Sequence, residues 1–238
     1  MDGRRLTTRV LVLISVFVTG AIGVAAQPPV DELRREIARS AAPRNPPAAE
    51  RLARLRDALA DQTGDPADRR ASARAWVRAG DLALQRGEIR YTFEISRALV
   101  ALRDAAGLDA FFARCLAVAR RGEPSARYLP LLDYADGLAA FGRPEARDLY
   151  RQAYDLHVNE AALNKYVIYL LDQRDPSAAL AIIESLPEGQ RRFNVVILSQ
   201  WKRALQQAGR DTAPADTALA ETERRFRGAQ GGVFVPTR

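Results

Sequence analysis

Apolar residues recur along most of the chain at the three- and four-residue spacing of amphipathic α-helices. The clearest stretch runs from residue 146 to residue 157. Its apolar face consists of Ala146, Leu149, Tyr150, Ala153, Tyr154 and His157. Comparable stripes cover residues 52–59, 76–83, 95–106, 108–119, 163–171, 179–186, 193–208 and 219–226. No alternating polar and apolar run is long enough for a half-buried strand, so the pattern predicts an all-α protein.

Helix-breaking and helix-capping residues separate these stripes at regular intervals. Asp65-Pro66 and Asp175-Pro176 each place a capping carboxylate ahead of a proline, which favours a helix start. Glycines mark the other predicted breaks, namely Gly64, Gly87, Gly107, Gly142 and Gly209. The links are short, and short links force consecutive helices to run antiparallel. We therefore expect helical hairpins near residues 50–86, 90–121, 125–157, 160–186 and 190–227.

The spacing of these landmarks indicates a repeat. Gly107 and Gly142 are 35 residues apart, and Gly142 and Gly209 are 67 apart, which is about two such intervals. Ala146 and Ala179 are 33 residues apart, and each precedes a large apolar residue by four positions. A period near 34 that is built from two helices is typical of tetratricopeptide repeats.

Two stretches resemble units of that family. Tyr134-Ala135, Leu138 and Gly142, followed by Ala146, Tyr150 and Ala153, resemble a whole unit, and Trp76, Ala79, Gly80 and Ala83 resemble a first helix. The resemblance covers residues 67–227 and is strongest at 125–190. It implies antiparallel hairpins that are stacked as an α-solenoid, with a non-repeating helical bundle as the alternative. One departure is that the hairpin pairing makes residues 67–86 a second helix, although their sequence resembles a first.

The two ends of the chain differ from this helical region. Residues 1–26 carry three arginines, then an apolar run over residues 10–24, then small residues, which is the pattern of a secretory signal peptide. We expect export to a bacterial periplasm, with an inner-membrane anchor at residues 10–26 as the alternative. Residues 27–47 form a Pro-rich leader, residues 48–227 the repeat domain, and residues 228–238 a flexible tail.

Candidate chemistry in the sequence is sparse. The chain has one histidine, His157, and one cysteine, Cys115, both on apolar stripes where packing explains them. No His/Cys spacing suits a metal, and no Gly-rich loop suits a phosphate. We therefore expect no enzyme, no cofactor and no metal site.

The formal charge of +7 arises from 36 basic and 29 acidic residues. These charges are interleaved around the helices as on a solvated surface, which argues against a nucleic-acid partner. No helix combines a basic face with a broad aromatic one, so we expect no membrane insertion of the mature domain.

The resemblance implies that the first helices of the units line a concave groove. The polar groove candidates on these helices are Asp133, Asp136, Asn164, Lys165, Gln200 and Arg203. Their mixed charge favours a protein or peptide partner. The sequence thus predicts a non-enzymatic interaction scaffold in the bacterial cell envelope. The alternative is a helical accessory domain of an envelope or cell-wall enzyme system.

Overall fold

A computed structural model describes residues 28–40, 42–156, 159–188 and 194–230. Over these ranges the chain forms eleven α-helices and no strand, which confirms the all-α prediction. The helices are α1 (Val30–Arg39), α2 (Pro46–Thr63), α3 (Pro66–Gln85), α4 (Thr92–Leu102), α5 (Ala105–Ala119), α6 (Tyr128–Ala140), α7 (Ala146–Leu156), α8 (Glu160–Asp172), α9 (Pro176–Ser185), α10 (Val195–Gln207) and α11 (Ala213–Gln230). The predicted signal peptide or anchor, His157 and residues 231–238 lie outside the described residues.

Five consecutive helix pairs are in contact, in the order that the short links predict. They are α2/α3, α4/α5, α6/α7, α8/α9 and α10/α11. We call the earlier helix of each pair its first helix and the later one its second helix. The first helices also contact one another in succession, α4 with α6, α6 with α8 and α8 with α10. Throughout the described chain, the substantial contacts join helices that are adjacent or next-adjacent in sequence.

The predicted leader is partly helical and packed. Helix α1 lies within it and contacts α2, with Leu33 buried and the Glu36 carboxylate 2.5 Å from the Arg51 guanidinium. Helix α2 begins at Pro46, where the side chain of Asn45 accepts a hydrogen bond from the Ala48 amide. The Pro-rich character of this region therefore marks helix starts as well as loops.

Four first helices end with the same backbone motif. In each, a residue in the left-handed conformation follows the helix, and the next amide donates a 2.9 Å hydrogen bond to a carbonyl five residues back. The accepting carbonyls belong to buried leucines, namely Leu99, Leu138, Leu170 and Leu205. The left-handed residues are Arg103, Gly142, Arg174 and Gly209. This Schellman motif closes each helix and turns the chain into its second helix.

The prediction that Gly107 separates two helices is wrong. Gly107 is the third residue of α5, and its amide donates to the carboxylate of Asp104, the N-cap of that helix. Arg103 occupies the left-handed turn position instead, with φ of +56°. The break thus lies four residues earlier, because an aspartate cap starts the helix and an arginine takes the place of a turn glycine.

The small residues beside Trp76 let helices approach closely. Ala79 and Ala83 are fully buried on α3, and a Cβ atom on Gly80 would overlap the side chains of Ile95 and Phe111. The indole nitrogen of Trp76 donates to the Asp57 carboxylate at 2.7 Å. Helix α3 is therefore packed against α2 on one side and against α4 and α5 on the other.

Candidate binding face of the first helices

Three of the six predicted groove residues meet where α6 and α8 pack together. The Lys165 ammonium on α8 lies 2.5 Å from an oxygen of Asp136 and 3.5 Å from an oxygen of Asp133, both on α6. Two carboxylates thus share one cation. Because one cation faces two carboxylates, part of their negative charge is compensated within the protein, and this cluster offers a partner less charge than its sequence suggests.

Asp133 is a buried connection between three first helices. Its side chain is only 5% exposed and accepts a 2.6 Å hydrogen bond from the Thr92 hydroxyl on α4. Its backbone carbonyl accepts a second bond, from the Ser96 hydroxyl. Burial raises the pKa of Asp133, and the hydrogen bond from Thr92 and the charge of Lys165 oppose this without cancelling it. Asp133 therefore joins α4, α6 and α8, and a partner has little access to it.

Asp136 is more accessible and is oriented from two sides. One of its oxygens accepts a 2.5 Å hydrogen bond from the Tyr150 hydroxyl on α7, and the other faces Lys165 on α8. Burial raises the pKa of Tyr150, and the neighbouring Asp136 carboxylate adds to this, so the phenol stays protonated and remains a donor. Asp136 is thus held in one orientation on the surface of α6.

The other three predicted groove residues do not hydrogen-bond to this cluster. The Arg203 guanidinium on α10 pairs with the Asp172 carboxylate on α8 at 2.6 Å. Asn164 is half-buried, and its side chain has no hydrogen bond within the described residues. The side-chain oxygen of Gln200 is buried and accepts no hydrogen bond from the part of the chain that the structure describes.

The sequence interpretation missed a row of exposed apolar side chains. Phe93 is 47% and Leu129 is 52% exposed, and Val196 is also exposed. These are the second residues of α4, α6 and α10, and the second residue of α8 is the exposed Ala161. We call these four residues the apolar row. Their spacings of 36, 32 and 35 residues follow the repeat period, which is the signal that could have identified them.

Two cations flank the first member of the apolar row. The Arg97 guanidinium lies 5.5 Å from the centre of the Phe93 ring, and the Lys165 ammonium lies 5.7 Å from it. Both distances suit cation–π attraction. Since Lys165 reaches Phe93 from α8 and Phe93 belongs to α4, the ring lies on the face that the successive first helices share.

Elsewhere the described residues offer little reactive chemistry. Burial raises the pKa of the Cys115 thiol to about 12, so it is protonated at neutral pH. No group of His, Cys, Asp and Glu residues in the described ranges is arranged to hold a metal ion. The same ranges contain no helix that is both long and apolar enough to span a membrane.

A cleft of about 370 Å³ lies beside α10 and α11. Trp201 forms part of its wall, and three carboxylates border it, those of Glu188, Asp211 and Glu221. The hydroxyl-bearing Thr217 also lines this cleft.

Comparison with known proteins gives no match, since no protein-family model, no curated protein and no solved structure is significantly similar to this chain.

Proposed function

We propose that this protein is a non-enzymatic interaction scaffold of tetratricopeptide-like type that is exported to the bacterial cell envelope. It binds a protein or peptide through the shared face of its first helices. The observation that carries this proposal is the apolar row, which recurs at the same position of successive first helices that contact one another.

The local packing of the helices supports a stacked array. Each hairpin contacts mainly the next, so one hairpin after another adds its first helix to a common face. The repeated Leu-to-turn motif at the ends of α4, α6, α8 and α10 gives these helices equivalent ends. Equivalent helices in succession produce a continuous surface, which is what an extended partner requires.

The exposed apolar side chains support binding. A single exposed leucine or phenylalanine is ordinary on a protein surface. Here the exposed large apolar residues that the structure describes all lie in the first turn of a first helix, at Phe93, Leu129, Val195 and Val196. Aligned apolar residues beside polar ones are typical of an interface with another protein.

The polar residues of this face support a non-enzymatic role. Asp133 and Asp136 share the Lys165 ammonium and accept hydrogen bonds from Thr92 and Tyr150. Carboxylates that are held by neighbouring helices in this way connect those helices, which supports a structural role for them.

A pull-down from bacterial envelope extract tests the proposal, with a variant that blocks the apolar row. Ala161→Arg places a bulky charge in the row at an exposed position, so the fold should be unaffected. Ala117→Arg makes the same change at an exposed alanine of the second helix α5 and serves as the matched control. We expect a protein that is retained by the wild type and by Ala117→Arg and lost by Ala161→Arg. If Ala161→Arg retains the same protein as the wild type, the proposal is contradicted. It is also contradicted if the wild type retains no protein.

A further inference from the structure

We propose that the Lys165 side chain is a strap that holds three first helices in one arrangement. It extends from α8 across α6 towards α4, and its positive charge keeps α8 beside the nearly buried carboxylate of Asp133. Without this charge, α8 moves away from α4 and α6. If the proposed function holds, on which this last step rests, Lys165 thereby sets the shape of the face that a partner meets.

The reach of Lys165 is the first observation behind this strap. Its ammonium lies 2.5 Å from an oxygen of Asp136 and 3.5 Å from an oxygen of Asp133, both on α6. The same ammonium lies 5.7 Å from the centre of the Phe93 ring on α4, which suits cation–π attraction. Helix α6 packs against both α4 and α8. One side chain of α8 therefore interacts with its neighbour α6 and also with the helix beyond it.

The packing of the helices makes this link important for the position of α8. Helix α8 packs less extensively against α6 than α4 does. The α4–α6 pair is also joined by the hydroxyls of Thr92 and Ser96, which donate to the carboxylate and the backbone carbonyl of Asp133 at 2.6 Å each. Between α6 and α8, Lys165 provides the polar link. Helix α8 also packs against α7, and this contact would remain, so a movement of α8 would open the face at α6 like a hinge.

The balance of charge explains why the loss of Lys165 would move α8. Two carboxylates share its ammonium, and Asp133 is only 5% exposed. A buried charge that loses its partner is strongly unfavourable, because neither water nor a counter-ion then compensates it. Asp136 is more accessible to water and keeps the hydrogen bond from Tyr150. The cost therefore falls on Asp133, and a shift of α8 that admits water to its carboxylate relieves this cost.

Distances between two spin labels, measured by pulsed electron spin resonance, test the strap in the full-length protein. Cysteine replaces the exposed Ala101 on α4 and the exposed Ala161 on α8, and each cysteine carries a nitroxide label. The native Cys115 is buried, so the label attaches to the introduced positions. This labelled parent is then compared with three variants of itself.

The three variants separate the charge of the strap from its bulk. Lys165→Met removes the charge and keeps an unbranched side chain. Adding Asp133→Asn to Lys165→Met removes the carboxylate that lost its cation, and an asparagine oxygen can still accept the hydrogen bond from Thr92. Lys202→Met is the matched control, because Lys202 is the other lysine of the chain and pairs with Asp216 at 2.6 Å. Circular dichroism establishes whether each variant folds.

We expect one narrow distance for the labelled parent near neutral pH. In Lys165→Met the distance should lengthen by at least about 2 Å, which is the scale of helix shifts at packed interfaces. The variant that combines Lys165→Met with Asp133→Asn should return to the distance of the parent. Lys202→Met should leave that distance unchanged.

An unchanged distance in Lys165→Met would overturn the inference, as would an equal shift in Lys202→Met. So would a lengthened distance in the combined variant, because the charge of Asp133 would then not be the cause. If Lys165→Met alone does not fold, a folded combined variant with the distance of the parent supports the strap, and an unfolded or shifted one overturns it. The scaffold proposal fails separately, if the envelope pull-down retains no protein.

Discussion

At the scale of single residues, Asp133 shows how one side chain can connect three helices. Its carboxylate and backbone carbonyl accept hydrogen bonds from α4, and Lys165 approaches it from α8. Periodicity correctly places Asp133 on a first helix. It does not reveal burial, because Thr92 and Lys165 are 41 and 32 residues away in sequence. Periodicity does not reveal the apolar row for a related reason. The exposure of each of its side chains depends on which surface the neighbouring helix covers.

The raised pKa of Asp133 predicts how Asp133→Asn affects stability. Because burial raises this pKa above its ordinary value of 3.8, the folded protein binds the proton more tightly than the unfolded chain does. Protonated Asp133 makes its full contribution to the free energy of unfolding below pH 3.8. This contribution is lost as the pH rises through the pKa that Asp133 has in the folded protein. Urea unfolding should therefore show Asp133→Asn gaining stability relative to the wild type as the pH rises from about 3.5 to 7.

Asp109→Asn is the control with the opposite sign. Partial desolvation raises the pKa of Asp109, but hydrogen bonds from Tyr134 and Arg143 outweigh this and hold it below 3.8. Its stabilising effect is present above pH 3.8 and is lost as the pH falls through the folded-state pKa. Asp109→Asn should thus lose stability relative to the wild type as the pH rises. Parallel curves for the two variants would contradict at least one of the two pKa shifts.

Gly80 is predicted to be essential for close packing. In Gly80→Ala the added methyl would overlap Ile95 and Phe111, so we expect a loss of about 1–3 kcal/mol from overpacking. This expected loss is the net effect, after the opposing gain of about 1 kcal/mol in helix propensity. Chemical denaturation measures the difference, with the exposed Arg78→Ala on the same helix as the control. A stability equal to or above that of the wild type would show that α4 and α5 can move aside.

At the scale of elements, the helix ends were only partly predictable from sequence. Gly64, Gly142 and Gly209 do lie at the left-handed turn positions that their sequence context indicates. Arg103 and Arg174 occupy the same positions although neither is a glycine, because the buried leucine five residues before the closing amide defines the motif as much as the turn residue does. A rule that searches for glycine alone therefore finds Gly107 in place of Arg103.

Arg174→Gly is expected to stabilise the protein. Arg174 has φ of +58°, a conformation that costs a non-glycine residue about 1–2 kcal/mol. Glycine removes this strain. It also makes the unfolded chain more flexible, which lowers the free energy of unfolding by about 0.4–1 kcal/mol. The net gain should be about 0.5–1 kcal/mol, measured by denaturant unfolding.

Gly142→Ala tests the same motif in the opposite direction. A Cβ at Gly142 would contact nothing within 4 Å, so its positive φ alone decides the outcome. We expect a loss of about 1 kcal/mol. Destabilisation by Arg174→Gly together with stabilisation by Gly142→Ala would show that these turns do not adopt the left-handed conformation.

At the scale of the whole molecule, link lengths were the most informative feature of the sequence. They predicted five antiparallel pairs, and the described helices pair in that order. The contacts between successive first helices could not be derived in the same way, because they depend on how one hairpin is oriented on the next. Gly137 on α6 illustrates this point, since its missing side chain leaves room for Leu108 of α5 and Ser96 of α4.

Ala153→Arg should destabilise the entire array. Ala153 is fully buried on α7, so arginine would place an unpaired charge in the core shared by neighbouring hairpins. We expect a loss of more than about 2 kcal/mol in the free energy of unfolding. Thermal unfolding followed by circular dichroism measures this, with the exposed Ala117→Arg as the control. An unchanged melting temperature would contradict the packing of α7.

The most direct test of the central claim is site-specific photo-crosslinking in bacterial cells that express the protein. A photoreactive amino acid is introduced at the exposed positions Ala161 and Ser199 on first helices, and at Arg74 and Arg151 on second helices. If the first helices form the binding face, the same partner protein should crosslink from Ala161 and Ser199 and not from the other two positions. Crosslinks that arise only from Arg74 and Arg151 would contradict the claim.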